Sequence, residues 1–152
     1  TPLGYYKDEE KTAKTFRIFE GKRWSVPGDW ATVEADGAIT LLGRGSQVIN
    51  TGGEKVFPEE VEEALKRFAG VRDAAVVGLP DPRFGERICA VVDFQGDTPP
   101  RLADLQAHVK SLLADYKVPR ELVLAEVVRA PNGKLDYKGV RAQAQAALGV
   151  KA

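Results

Sequence analysis

The 152-residue sequence contains no methionine, one histidine and one cysteine. A lone cysteine closes no internal disulfide. Cys89 lies in the apolar run Ile88-Cys89-Ala90-Val91-Val92 and reads as a buried core thiol. Neither sign of charge is in excess, with 22 Lys plus Arg against 22 Asp plus Glu. That balance offers no field to collect nucleic acid or anionic lipid. No apolar run approaches the ~20 residues of a membrane-spanning helix, and no signal-peptide pattern opens the chain. A cytoplasmic protein is expected. With threonine at position 1 and no methionine after it, the chain reads as a processed or excised piece. A P-loop is missing as well, since GxxxxGK[ST] would need Gly at Val128 and Ser or Thr at Leu135.

What is present divides the chain in two. Residues 1–42 read as a small β-rich piece. Asp8–Thr15 has its acids first and its lysines later, which suits a short helix. Phe16–Phe19, Lys22–Ser25 and Trp30–Val33 read as strands, and Asp36-Gly37 between apolar runs predicts a hairpin turn. So few residues of hairpin rarely hold together alone, and this piece is expected to be the tail of a larger domain.

Residues 48–152 carry longer signals. Pro58–Ala69 places Val61, Ala64, Leu65 and Phe68 on one helix stripe, with Pro58 at the first position and Gly70 as a stop. Glu62/Lys66 and Glu63/Arg67 are spaced for i,i+4 pairing. Val71–Leu79 and Glu86–Phe94 read as buried strands, and Leu122–Val128 as a third. Leu102, Leu105, Val109, Leu112 and Leu113 mark a second amphipathic helix. His108 falls beside that stripe, where packing or surface exposure outweighs catalysis. Asp136 is placed to cap a last helix, Tyr137–Leu148. The expected fold class is therefore α+β, an open three-stranded sheet with helices.

Between the two parts runs Gly43–Glu62, GRGSQVINTGGEKVFPEEVE. It reads as a joint (residues 43–47), a short strand, a bare glycine pair and a helix start loaded with glutamates. This order resembles the joint of the adenylate-forming acyl-CoA synthetases, which links a large N-terminal domain to a small mobile one. Further motifs fall at matching intervals: Gly28-Asp29, PDPRFGE at 80–86, YKVP at 116–119 and NGK at 132–134. The resemblance thus covers essentially the whole chain. It implies a parent enzyme that makes acyl-AMP and pyrophosphate from ATP and a carboxylic acid, then passes the acyl group to CoA. The INTGGEKVFPEEVE wording leans towards bacterial enzymes of fatty or steroid side-chain acids.

The resemblance also implies roles. Asp29 would hold the ATP ribose hydroxyls, as a carboxylate is fitted to do, although taken alone it is an ordinary turn residue. Arg44 would join it on ribose or phosphate, or is otherwise a plain surface cation. Ser46 stands at the hinge, where most relatives carry Asp or Lys; a pivot needs backbone freedom more than charge. Lys134 would be the catalytic lysine, its ammonium stabilising charge at the α-phosphorus as pyrophosphate leaves. Acetylation by a lysine acetyltransferase, reversed by a deacetylase, would switch it off. Gly52 and Gly53 would line the pantetheine channel, Phe84 and Tyr116 would stack the CoA adenine, and Lys117 and Arg120 would meet its phosphates. ATP with Mg2+ and CoA are the implied co-substrates, held mainly by the absent N-terminal domain, and no intrinsic metal is expected. This chain alone is expected to be silent. A carrier-protein thiol or, as in luciferases, oxygen as acceptor stays open, as does a non-catalytic α+β binding module.

Overall fold

The computed structural model describes residues 2–26, 28–44 and 47–150, with only the backbone at Arg44. The chain divides into two compact units between Gly45 and Ser46. In the first, helix α1 (Glu9–Thr15) is capped by the Asp8 carboxylate, which accepts from the Lys11 backbone N–H at 2.9 Å. Two antiparallel hairpins follow, β1 (Phe16–Phe19) with β2 (Lys22–Ser25) and β3 (Asp29–Val33) with β4 (Ile39–Arg44). None of the described residues of this unit is buried. Ile18, Trp24, Trp30, Val33, Ile39 and Leu41 are all exposed.

The second unit is built on one sheet. Strands β7 (Val71–Asp81) and β8 (Gly85–Phe94) form a long antiparallel hairpin, and β9 (Glu121–Leu124) lies parallel to β8. These are the three expected strands, although the third stops four residues short of Val128. A short hairpin, β5 (Ile49–Thr51) and β6 (Glu54–Val56), joins through Thr51 opposite Gly85 and makes the sheet five-stranded. The sequence shows only a short strand and a glycine loop there, because three-residue strands carry too few alternations to register.

Period-two alternation sorts the long strands onto two cores. Ala74, Val76, Ile88, Ala90 and Val92 face one cluster with Val61, Leu65, Leu105 and Val109. Those partners come from α2 (Pro58–Lys66) and α3 (Leu102–Leu112). Ala75, Val77, Leu79, Cys89 and Val91 face the other, closed by Val140 and Ala144 of α4 (Tyr137–Leu148). A sheet covered on both faces explains why β7 and β8 read as continuous apolar runs. Each fully buried Val, Leu or Ile contributes roughly 1.5–3 kcal/mol relative to exposure.

Candidate active site

The turn after β9 carries Lys134. An antiparallel bridge between Arg129 and Leu135 closes the loop, and the Ala130 N–H donates to the Lys134 carbonyl at 2.8 Å. Gly133 turns the chain with φ +79°, and its N–H donates to the Ala130 carbonyl at 2.8 Å. The Asn132 side chain accepts from the Lys134 N–H at 3.1 Å. This local bonding uses the backbone and leaves the side chain outward. Lys134 is exposed, and among the described residues its ammonium has no ion-pair partner. In the same unit Lys66, Lys110 and Lys117 are each paired with a carboxylate.

Asp136 accepts from the Gly139 N–H at 3.1 Å and caps α4, as expected. The first residue of that helix, Tyr137, reaches back into the core. Its hydroxyl donates to Glu62 Oε2 at 3.2 Å, while Glu62 Oε1 accepts from the Val76 N–H at 2.9 Å. Burial pushes the Glu62 carboxyl up to about 7, although both hydrogen bonds and Lys66 oppose the rise. Burial, then the neighbouring Glu62 and Glu59, pushes the Tyr137 phenol upward too.

Glu62 corrects the expected i,i+4 pair Glu62/Lys66: it is buried, and Lys66 bonds Glu63 instead. The signal was available, since Glu62 lies between Val61 and Leu65 and four residues after the buried Pro58. His108 accords with its packing role, its Nε2 2.9 Å from the Ala64 carbonyl and its ring edge-on to Phe68.

The glycine pair and Phe84 come together. Gly52 and Gly53 form the two-residue turn between β5 and β6 with φ +60° and +89°. Positive φ at both positions suits a primed hairpin turn, so geometry alone accounts for glycine here. The Gly52 N–H donates to the Phe84 carbonyl at 2.9 Å, and a Cβ on Gly52 would rest 3.4 Å from the Phe84 ring. Asp81 holds the Phe84 turn by accepting from the N–H groups of Arg83 and Phe84, both at 2.9 Å. Those two bonds keep its carboxyl below the usual carboxylate range. The Arg120 guanidinium lies 4.2 Å from the centre of the Phe84 ring.

Tyr116 and Lys117 sit in the short 3-10 turn Asp115–Lys117. Tyr116 is exposed. The Lys117 ammonium is held by both oxygens of Glu60 in α2, at 2.6 and 2.7 Å, so it reaches a ligand only by releasing them. Beside this turn an open groove of about 350 Å³ is lined by Gln106, Lys110, Asp115, Val118, Pro119 and Arg120.

In the first unit, Asp29 begins β3 and pairs in register with Arg44 at the end of β4. The Arg44 side chain and the whole of Ser46 lie outside the described residues. Among the described residues no group of three or more His, Cys, Asp or Glu is arranged to hold a metal ion. No described helix is long and apolar enough to cross a membrane. Cys89 is buried, and burial pushes its thiol up to about 12, with Glu121 adding to the shift.

Residues 60–134 match the family model described as AMP-binding enzyme C-terminal domain. The chain is 59% identical over 138 residues to a medium/long-chain-fatty-acid–CoA and 3-oxocholest-4-en-26-oate–CoA ligase of Mycolicibacterium smegmatis, covering 90% of this chain and 25% of that one. A 3-oxocholest-4-en-26-oate–CoA ligase of Rhodococcus rhodochrous is 55% identical over 143 residues, covering 93% of this chain and 26% of the relative. Among solved structures, an amide bond synthetase of Marinactinospora thermotolerans superposes with a TM-score of 0.79 at 35% identity, over 92% of this chain and 28% of that one. The chain thus spans about a quarter of the length of these relatives. By these matches, residues 60–134 are similar to the C-terminal domain of AMP-binding enzymes.

Proposed function

We propose that this chain is the C-terminal part of an ATP-dependent acyl-CoA ligase acting in the cytoplasm on fatty or steroid side-chain acids. The observation that carries the reading is the exposed ammonium of Lys134, without an ion-pair partner among the described residues, at the tip of a backbone-braced turn. In the first step a carboxylate oxygen bonds to the α-phosphorus of ATP, and the bond to the β-phosphate oxygen breaks, releasing pyrophosphate. An outward, uncompensated cation is suited to stabilise the negative charge that shifts there. In the second step the CoA sulfur, having lost its proton, bonds to the acyl carbon and AMP departs.

The turn that holds Gly52 and Gly53 beside Phe84 supports a place for the acceptor arm. Arg120, already stacked on Phe84 and lining the neighbouring groove, is better disposed towards CoA phosphates than Lys117, which is bound to Glu60. Tyr116 stays on this face as the second candidate for stacking the adenine. Asp29 is assigned to the ribose of ATP and Arg44 to its ribose or phosphate, with Mg2+ entering on the ATP phosphates. The hinge at 43–47, with Ser46, is assigned to the division between the units. The exposed apolar side chains of residues 2–44 support a further N-terminal domain as their cover. Acetylation of Lys134 would cancel the charge on which adenylation depends.

The test is Lys134→Ala in the full-length protein. ATP–pyrophosphate exchange dependent on the acid is expected to fall about 100- to 1,000-fold, the cost of losing one electrostatic contact to the transition state. Transfer to CoA from preformed acyl-adenylate is expected to hold. Exchange at the wild-type rate would refute the assignment.

A further inference from the structure

The Lys134 turn is held by bonds within the loop, the Asn132 side chain among them, and by the Arg129 side chain. Arg129 donates from Nη1 to the Gly133 carbonyl at 2.7 Å, so it grips the residue just before the lysine. The other edge of the same guanidinium meets Asp73 in a two-point pair, Nε to Oδ2 and Nη2 to Oδ1, each 2.9 Å. Asp73 stands on β7 where the ladder with β8 slips register between Val71 and Asp73. One of its oxygens also accepts from the Ala74 N–H at 2.9 Å, which fixes the carboxylate on its strand. The guanidinium therefore ties a surface turn to β7, the last strand of the sheet and one buried from Ala74 to Leu79, across 56 residues of sequence.

From this geometry we propose that Arg129 is a positioning residue for Lys134, with Asp73 as its anchor; the proposal rests on Lys134 acting in adenylation. A planar fork with donors on two edges can bind carboxylate and carbonyl together, which a lysine ammonium cannot do with the same fixed angles. The Ala130, Gly133 and Asn132 bonds lie within the turn itself, and a Cβ on Gly133 would meet nothing within 4 Å. Without the fork, the turn loses its tie to β7 while the fold behind it stays intact. Arg129 and Asp73 touch no substrate under this proposal.

The experiment uses the full-length protein and reads both half-reactions. Arg129→Ala is expected to lower kcat for acid-dependent ATP–pyrophosphate exchange about 10- to 100-fold, the order expected when a catalytic group is misplaced by about 1 Å. KM for ATP should change little. Transfer to CoA from preformed acyl-adenylate, in which no pyrophosphate leaves, should stay within about twofold. Placed on Lys134→Ala, the same change should cost less than about twofold, because there is no ammonium left to position. Arg129→Lys keeps the charge without the fork and should recover only part of the loss, and Asp73→Asn should fall between. Equal losses from Arg129→Ala with and without Lys134 would overturn the proposal. So would wild-type exchange in Arg129→Lys, the variant that serves if Arg129→Ala does not fold. An effect of Lys134→Ala with none from the Arg129 variants sinks this proposal alone; no effect of Lys134→Ala sinks the functional reading as well.

Discussion

Replacing Glu62 by Gln should remove most of the pH dependence of stability between pH 5 and 7. The carboxyl is buried under α2, bonded to the Val76 N–H and the Tyr137 hydroxyl, and pushed from the ordinary 4.5 up to about 7. The charged groups that face it are Glu59, which adds to the rise, and Lys66, which opposes it. Because the folded state holds this proton more tightly than the unfolded chain, its contribution is complete below pH 4.5. It is lost as pH rises through about 7. Each whole step of pH between those two values is worth about 1.4 kcal/mol, so the folded chain should lose about 3 kcal/mol across the interval. Glutamine keeps an acceptor for Val76 and an amide beside the tyrosine oxygen but carries no charge at any pH. Urea unfolding of both proteins from pH 4.5 to 8 measures the effect. The wild type should fall steadily while Glu62→Gln stays nearly level, and at pH 8 the variant should be the more stable of the two. Asp81 and Asp104, held below the usual carboxylate range by hydrogen bonds, titrate at lower pH and leave this window clear. Parallel curves for the two proteins would refute the reasoning, for they would mean that Glu62 is ionised at the same pH folded and unfolded.

Two further outcomes follow from other parts of the second unit. Cys89, buried with its thiol up to about 12, should resist alkylation at pH 8 in the folded chain and react only at the rate of unfolding, which mass spectrometry after timed exposure to iodoacetamide would read. Gly53→Ala should cost about 1 kcal/mol, because its φ of +89° disfavours a side chain while the space around it is open. In the full-length protein the same substitution should leave ATP–pyrophosphate exchange unchanged and slow transfer to CoA. An exchange rate that fell with it would remove the glycine pair from the acceptor path.

The parts of the fold that can be read from residue order are those with a local cause. Tyr137–Leu148 is legible to the residue because its start is set by the Asp136 side chain and its end by Gly149 with φ +65°. The long strands show as apolar runs because both faces of β7 and β8 are covered. In contrast, β5 and β6 are three residues each, and their place in the sheet depends on one pairing with Gly85, far along the chain. The candidate site divides along the same line. Lys134, Gly52, Gly53 and Phe84 stand in turns whose composition announces them. The groups that fix those turns in space do not, because ion pairs between β7 and a loop 56 residues later leave no periodic trace.

Arg129 and Glu62 show why that gap matters for function. As sequence, one is a cation among 22 and the other a glutamate in an acidic helix start. In the structure they brace the two ends of the segment that presents Lys134: Arg129 ties the turn to Asp73 on β7, and Glu62 receives Tyr137 at the first turn of α4 while also bonding β7 at Val76. Both braces thus end on the same strand, at residues three apart. The role proposed for Lys134 needs a rigid reference, and β7, buried from Ala74 to Leu79, supplies it. The catalytic assignment accordingly rests as much on β7, which carries no expected site residue, as on the exposed motif that holds Lys134.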